Sequence, residues 1–295
     1  MKRIIHSAPI IGFVRYSQKI EFGKKTRDVF EPDYFEYRFK IFQEITLKSF
    51  QQQTEKEFIL LLLHSAAMPN HLKERFLALE KTNNFLRNVF IEDNSASFAI
   101  ALKNSIEYAN FQKGAVVTFR VDNDDAVPNN FIAKLKYFLR EDLIGYAISA
   151  PTVVIVKRIS NQMVLMQQKY YPSNSIGLAY VSGLNNFKTV MDAAQHHQIN
   201  HNNPMVLTAG NVVGGLMTIN GANAINFIDP SHSQIASNEE IKKYMADHRF
   251  GNLDLNCMKI FEDASSNSRS YLSKIVHYLT PPLFHIILRK KKSYL

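Results

Sequence analysis

The sequence has no tryptophan and a single cysteine, Cys257. One cysteine excludes a disulfide framework within the chain and points to a reducing compartment. Cys257 itself reads as a nucleophile or as a small buried apolar side chain, and the second is the commoner fate of a free cysteine. Long apolar runs are missing too: no stretch reaches the roughly 18 residues that span a bilayer. The opening MKRIIHSAPIIGFVR puts Lys2 and Arg3 ahead of apolar residues, as a signal peptide would. His6 and Pro9 interrupt that run and Arg15 closes it, so it reads as a first β-strand instead. Also absent is any stripe of interleaved basic and aromatic residues, so no nucleic-acid partner is expected.

What is present suits a soluble globular protein. The 295 residues, 46% hydrophobic and 21% charged, are enough to bury a sizeable core. A net charge of +9 favours anionic partners. Part of it sits in one place: Arg289, Lys290, Lys291 and Lys292 follow the apolar YLSKIVHYLTPPLFHIIL. That pairing suits a peripheral anchor on anionic lipid, and equally a solvated terminus after a packed last helix. The location expected is cytoplasmic, with a peripheral place at the inner membrane face left open by the tail.

Apolar patterning in the first half alternates strand and helix. IIGFV is a strand candidate, and Ser17 to Pro32 a loop. DYFEYRFKIFQEITLKSFQQQT sets Phe35, Phe39 and Phe42 on one helical face. FILLLL, Phe58 to Leu63, is continuously apolar, as a central parallel strand covered on both faces should be. NHLKERFLALEK spaces Leu72, Phe76 and Leu79 as a helix, and NVFIE is a short strand. NSASFAIALKNSIEYA opens on a cap-like Asn94 or Ser95 and predicts another helix. AVVTFRV is a strand, and VPNNFIAKLKYFL predicts a helix with Pro128 near its first position. Alternation of this kind argues for a parallel sheet in an α/β domain. In the second half, AISAPTVVIVKR and QMVLMQQKYY predict two strands around a polar turn at Ile159 to Gln162. Segments rich in Gly, Asn and Ser follow, with no linker to mark a domain boundary.

The strand AVVTFRV runs into Asp122, Asp124 and Asp125. Ligands of open α/β sheets bind beyond the carboxyl ends of strands, so these acids are placed for chemistry. Adjacent carboxylates raise one another's pKa unless a cation offsets them. A hard divalent ion, Mg²⁺ or Mn²⁺, does so through oxygen ligands. In extended backbone Asp122 and Asp124 would point to the same side. A metal there would neutralise the charge on a leaving diphosphate. The bland alternative is that these Asp side chains cap the next helix or form an Asx turn before Pro128.

Together, IEDNSASFAIALKNSIEYANFQKGAVVTFRVDNDDAVPNNFI resembles the core of the inverting family 2 glycosyltransferases of the GT-A fold. The matching elements are Asn94, Ala101-Leu102-Lys103-Asn104, Gly114 and Asp122-Asn123-Asp124-Asp125. FEYRFKIFQEITLKSFQQQTEKEFILLLL ahead of FRVDNDDA is similar to the rhamnosyl transferase branch. The resemblance covers about the first 140 residues. It implies a GT-A-like (Rossmann-like) α/β fold: a mostly parallel sheet flanked by helices, with a smaller mixed acceptor-side half. One domain is expected over residues 1–270, divided into a nucleotide-sugar-binding half at 1–140 and an acceptor-side half at 141–270. Residues 271–295 form the tail.

The resemblance further implies a nucleotide-sugar donor, a divalent cation, and a glycan or lipid-linked acceptor in cell-surface polysaccharide synthesis. By position, Asp122 contacts the ribose or diphosphate and Asp124 holds the metal, with Asp125 beside them. Asp93 lies near the base, Arg15 near the nucleotide, and Lys103 stands in for an Arg. An inverting transferase needs a general base, for which Asp192 is the first candidate, with Glu239 and Asp229 behind it. Three positions depart from the pattern. Asn220, in TINGANAIN, stands where relatives often carry a His able to complete a metal shell. His64 stands where an acid is expected. His197 and His201 have the spacing of zinc ligands on a helix, which nearby Asn and Pro disfavour. The competing functions are a metal-dependent phosphoryl transferase or nuclease, and a non-catalytic carbohydrate- or nucleic-acid-binding module.

Overall fold

The computed structural model describes residues 9–17, 28–92, 100, 104, 114–194, 196–221, 228 and 232–260. Asp93, Asn94, Lys103, Asp229, the helix predicted over 94–109 (save residues 100 and 104) and the tail at 271–295 lie outside them. Among the described residues, no helix is long and apolar enough to cross a membrane.

The expected α/β architecture is present. The larger sheet has seven strands in the order β3-β2-β1-β4-β8-β5-β9. Its first four are β1 (Ile10–Arg15), β2 (Ile59–Ser65), β3 (Leu86–Ile91) and β4 (Ala115–Asp122). All four run parallel. Every residue of β2 is buried, which is why its sequence shows no alternation. β8 (Leu178–Gly183) is antiparallel to both β4 and β5 (Ala147–Ser149), and β9 (Met205–Leu207) pairs parallel with β5. A smaller mixed sheet has the order β10-β6-β7-β11. It is built from β6 (Thr152–Arg158), β7 (Met163–Tyr170), β10 (Val213–Ile219) and β11 (Gln234–Ser237). The hairpin predicted around Ile159 to Gln162 is β6–β7. AISAPTVVIVKR is two strands rather than one. Ala150 and Pro151 break it, and the two pieces enter different sheets.

Helix α1 (Pro32–Ile41) continues through a π-helical stretch, Phe42–Leu47, into α2 (Lys48–Gln51). The apolar spacing predicts one regular helix here, but two cores need it. Phe35, Phe39, Phe42, Leu47 and Phe50 pack on the large sheet, whereas Ile41 and Ile45 belong to the core under the small sheet. The wider π turn shifts the register between these two faces. α3 (Asn70–Thr82) brings Phe76 against the Phe35–Phe39 face, with ring centroids 6.1 and 5.1 Å away.

Pro128 does not open the following helix, which spans Phe131–Tyr137. The backbone ahead of it is drawn into distant contacts. Gln53 Nε2 donates to the Pro128 carbonyl at 2.8 Å, and Asn129 N–H donates to the Arg249 carbonyl at 2.7 Å.

Gly12 marks the tightest approach between β1 and its neighbours. A Cβ there would lie 2.3 Å from Phe119 Cζ and 2.7 Å from a Leu60 methyl. Phe119 is buried and stacked on Phe50 at 5.8 Å, so it has no room to retreat. Gly12→Ala should therefore lower stability by about 1–3 kcal/mol through overpacking. Urea unfolding measures this, and an unchanged midpoint would contradict the packing described.

Candidate active site

β4 delivers Asp122 to the carboxyl edge of the sheet, beside its register partner Arg15 at the end of β1. Arg120 Nη2 donates to Asp122 Oδ1 at 3.1 Å, and Ser175 Oγ donates to Oδ2 at 3.2 Å. Burial alone would raise this carboxyl's pKa. The charges of Arg120 and Arg15, with those two hydrogen bonds, outweigh burial and hold it below the usual range.

The strand ends at Asp122. A turn follows, in which Asp125 N–H donates to the Asp122 carbonyl at 3.3 Å. The extended backbone assumed for the Asp-x-Asp pair is therefore absent, and its two carboxylates bond to different elements. Asp124 turns toward β10: Asn220 Nδ2 donates to its Oδ2 at 3.0 Å, and Thr218 Oγ1 donates to its carbonyl at 2.7 Å. Burial, then the charge of Asp122, push the Asp124 pKa up to about 6, with Arg38 and Asn220 opposing. Asp125 accepts from Thr218 N–H at 3.3 Å. Burial and the charges of Asp124 and Asp122 raise it well above the usual range. Asp125 does not cap the next helix as the bland alternative has it: its carboxylate ties the strand end to β10. No side chain caps the Phe131–Tyr137 helix.

Arg38 was not legible as a site residue in the sequence. It projects from α1, its Nη2 donates to the Tyr16 carbonyl at 2.9 Å, and its guanidinium lies 5.3 Å from the Tyr16 ring centroid. Asn123 Nδ2 donates to the same carbonyl at 3.3 Å. Arg38, Ile41, Asn123, Asp124 and Asn220 line one small pocket. Tyr37 is tied to one of these residues: its hydroxyl donates to the Asn220 carbonyl at 2.7 Å and accepts from Lys259 N–H at 3.0 Å. A charged residue between tyrosines and phenylalanines on one helix was the only sequence signal for this group.

The remaining candidates fall elsewhere. Asp192 accepts from Thr189 N–H at 3.0 Å and Thr189 Oγ1 at 2.9 Å, in the capping box of the Val190–Ala193 helix. Val190 N–H donates to Thr118 Oγ1 at 2.7 Å, which sets that helix against the middle of β4. Glu239 is exposed in the first turn of the Asn238–Asp247 helix. His64 is a core residue. Its Nε2 pairs with Asn88 Oδ1 at 2.9 Å, and its ring stacks on Phe90 at 5.0 Å. Burial pushes its pKa down to about 3, so it stays neutral. His201 is exposed on the short Ile199–Asn202 helix, and the His197 side chain lies outside the described residues.

Asp124 has the chemistry to hold a hard cation. It is a half-buried carboxylate whose charge is disfavoured by its surroundings. Asp122 fits less well, because both of its oxygens already accept from Arg120 and Ser175. Among the described residues, no group of three His, Cys, Asp or Glu side chains is placed to hold a metal. A cation at Asp124 would take its other ligands from phosphate oxygens and water, as Mg²⁺ commonly does.

A family model described as "Putative rhamnosyl transferase" matches residues 6–230. The chain belongs to that family. The matched span contains the Asp122–Asp125 turn, Arg15, Arg38 and Asn220, so the whole pocket except the Lys259 contact falls inside the rhamnosyl transferase family match. Membership makes the chain a glycosyltransferase, as the motifs around Asp122 imply. No curated protein matches it. Among solved structures, it is similar to residues 1–349 of Staphylococcus aureus TarS, at 10% identity and a TM-score of 0.38. That alignment covers 72% of this chain and 61% of the other. The same TarS piece in complex with UDP gives 13% identity and a TM-score of 0.38, covering 71% and 60%. A further TarS structure gives 14% and 0.40, covering 72% of this chain but 37% of that one. The chain therefore spans less than two thirds of each TarS structure, and a likeness this loose carries no weight on what the chain does.

A cation held by Asp124 would bind in a pH-dependent way. Its pKa, pushed up to about 6, lies above the ordinary carboxylate range, so a proton would compete with such a cation below pH 6. Mn²⁺ affinity, measured by titration calorimetry with nucleoside diphosphate present, should fall up to about tenfold per pH unit below 6 and level off above it. A flat profile between pH 5 and 7 would remove Asp124 from the metal's ligands.

Proposed function

We propose that the chain transfers a sugar from a nucleotide-sugar to a hydroxyl of a glycan or lipid-linked acceptor, with inversion and with a divalent cation at Asp124. The observation that carries this reading is the pairing of unequal acids at one strand end. Asp122 is held ionised by Arg120 and Arg15, while Asp124, half-buried and next to it, is disfavoured as an anion. A cation bound by Asp124 would supply neutralisation of the leaving diphosphate.

The chain's own groups do the rest. Asp122, fixed by Arg120 and Ser175, is a hydrogen-bond acceptor for a ribose hydroxyl. Arg15 and Arg38 bring positive charge from either side to the place where diphosphate charge develops. Asn220 orients the Asp124 carboxylate. Asp125, tied to Thr218, keeps the turn fixed so that its neighbours need no reorganisation. Asp192 keeps the capping role its geometry gives it. Membrane-side polysaccharide synthesis, and peripheral attachment through the tail, belong to this proposal as the setting in which lipid-linked acceptors occur.

Thermal unfolding with UDP, dTDP and GDP, each with and without Mn²⁺, tests donor recognition. One diphosphate should raise the melting temperature, and only with metal. At a concentration of 100 Kd, binding stabilises by about 2.7 kcal/mol. If no diphosphate shifts the transition, the nucleotide-sugar assignment fails.

A further inference from the structure

Arg158 closes β6 at the level where Asn220 follows β10. Lys157 and Ile219 are register partners on these parallel strands, so Arg158 stands beside Asn220, one strand farther from Asp124. Val154, Val156 and Leu216 share one apolar cluster, which fixes the face. With side chains alternating along each strand, Arg158 and Asn220 leave the sheet on that same face.

The Arg158 guanidinium is an anomaly for a core position. The residue is 4% exposed. Its Nη2 donates to the Asn161 carbonyl, while its Nη1 is buried without an acceptor. None of the ion pairs among the described residues includes it. A buried guanidinium with an unmet donor is costly unless an anion completes it.

A helix N-terminus meets the same hairpin. Asn238 Nδ2 donates to the same Asn161 carbonyl at 2.9 Å, and Asn238 N–H donates to the Gln162 carbonyl at 3.1 Å. These bonds bring the positive end of the Asn238–Asp247 helix to the hairpin beside Arg158. Of the acids in that first turn, Glu240 is bound in the capping box with Ser237, and Glu239 is exposed. On the Asn220 side, Tyr37 joins Asn220 to the backbone of Lys259, whose Nζ lies 4.4 Å from the Tyr37 ring centroid.

We propose that Arg158 receives a second phosphoryl group, on the far side of Asn220 from Asp124. Neighbouring strands lie about 4.8 Å apart, so Arg158 starts about 10 Å from the Asp124 segment, a span that a phosphorylated sugar bridges. This rests on the transferase assignment and deepens it by adding a phosphoryl contact beyond the pocket that Asp124 and Asn220 line. The group belongs either to the acceptor or to the distal part of the donor.

The test uses the full chain and two probes: inorganic phosphate without metal, and nucleoside diphosphate with Mn²⁺. Arg158→Met should weaken phosphate binding about tenfold, the factor expected for loss of a charge-assisted contact. Arg158→Lys keeps the stem and the charge but loses the planar fork, so it should weaken binding less. If Arg158→Met does not fold, Arg158→Lys carries the test alone. Unchanged diphosphate affinity in the variants assigns the phosphoryl group to the acceptor, whereas a parallel loss assigns it to the donor. Failure of the wild-type chain to bind phosphate, or equal binding by all three proteins, would overturn the proposal. Phosphate binding lost in Arg158→Met, in a chain that binds no diphosphate, would keep the Arg158 site and sink the donor assignment instead.

Discussion

Asp124→Asn is expected to abolish metal-dependent donor turnover while making the metal-free protein more stable. The two effects share one cause. Burial and the neighbouring Asp122 raise the Asp124 pKa from 3.8 to about 6, so at neutral pH the folded chain holds a carboxylate it disfavours. A group whose folded pKa lies above its unfolded value binds more protons when folded. Its contribution to stability is therefore greatest at low pH, falls as pH rises from about 4 to about 6, and stays unfavourable above. Asparagine removes the charge, keeps the shape, and still offers an oxygen to Asn220 Nδ2. The gain should be on the order of 1–2 kcal/mol at pH 7, after discounting for partial solvent access, and should vanish near pH 4. Catalysis should move the other way. Under the proposed function the cation would lose its protein carboxylate, and loss of such electrostatic stabilisation costs on the order of 100-fold or more in turnover. Asp122→Asn gives the contrast. That carboxyl is held below the usual range by Arg120 and Arg15, so removing it leaves cations unpaired and should destabilise. Urea midpoints of both variants at pH 4 and pH 7, with turnover alongside, check the signs. Equal destabilisation by both would contradict the charge distribution described.

Phe76→Ala should cost the most stability, about 3–5 kcal/mol, as large-to-small changes at a buried aromatic do. Phe76 is fully buried. Its ring lies 4.6 Å from Tyr16, 5.1 Å from Phe39 and 4.3 Å from His64, centroid to centroid. Truncation removes the transfer energy of the ring and leaves a cavity beside two polar atoms, Tyr16 OH and His64 Nδ1, that already have no partner. The loss is large against the 5–15 kcal/mol that holds a typical domain together. It should also reach the site, because the Tyr16 carbonyl accepts from both Arg38 and Asn123. The expected phenotype is a lower unfolding midpoint together with weaker nucleoside diphosphate binding, while Phe76→Leu recovers most of both. Wild-type stability in Phe76→Ala would show that this aromatic cluster does not hold the carboxyl edge in place.

The parts of the fold legible in the sequence were those written in local period. The unbroken apolar run of β2, the Phe35–Phe39–Phe42 stripe and the spacing of Leu72 and Phe76 each follow from one element meeting one core. β4 running into Asp122 marked the edge where the candidate site sits. What stayed hidden depends on partners far along the chain. The carboxyl of Asp125 meets Thr218, and that of Asp124 meets Asn220. No period links those positions, so the turn that sends Asp122 and Asp124 to different partners was invisible. Arg38 was hidden because its role rests on the carbonyl of Tyr16. The π turn after Ile41 was hidden because it serves two cores at once, and Pro128 was misplaced because Gln53 and Arg249 claim the backbone around it.

The most direct measurement is nucleotide release from UDP-, dTDP- and GDP-sugars by the purified chain, with and without Mn²⁺, beside Asp124→Asn. The account predicts that one donor yields free nucleoside diphosphate, that release needs the metal, and that Asp124→Asn abolishes it. Release that persists in Asp124→Asn, or that ignores the metal, would contradict the central role given to that carboxylate.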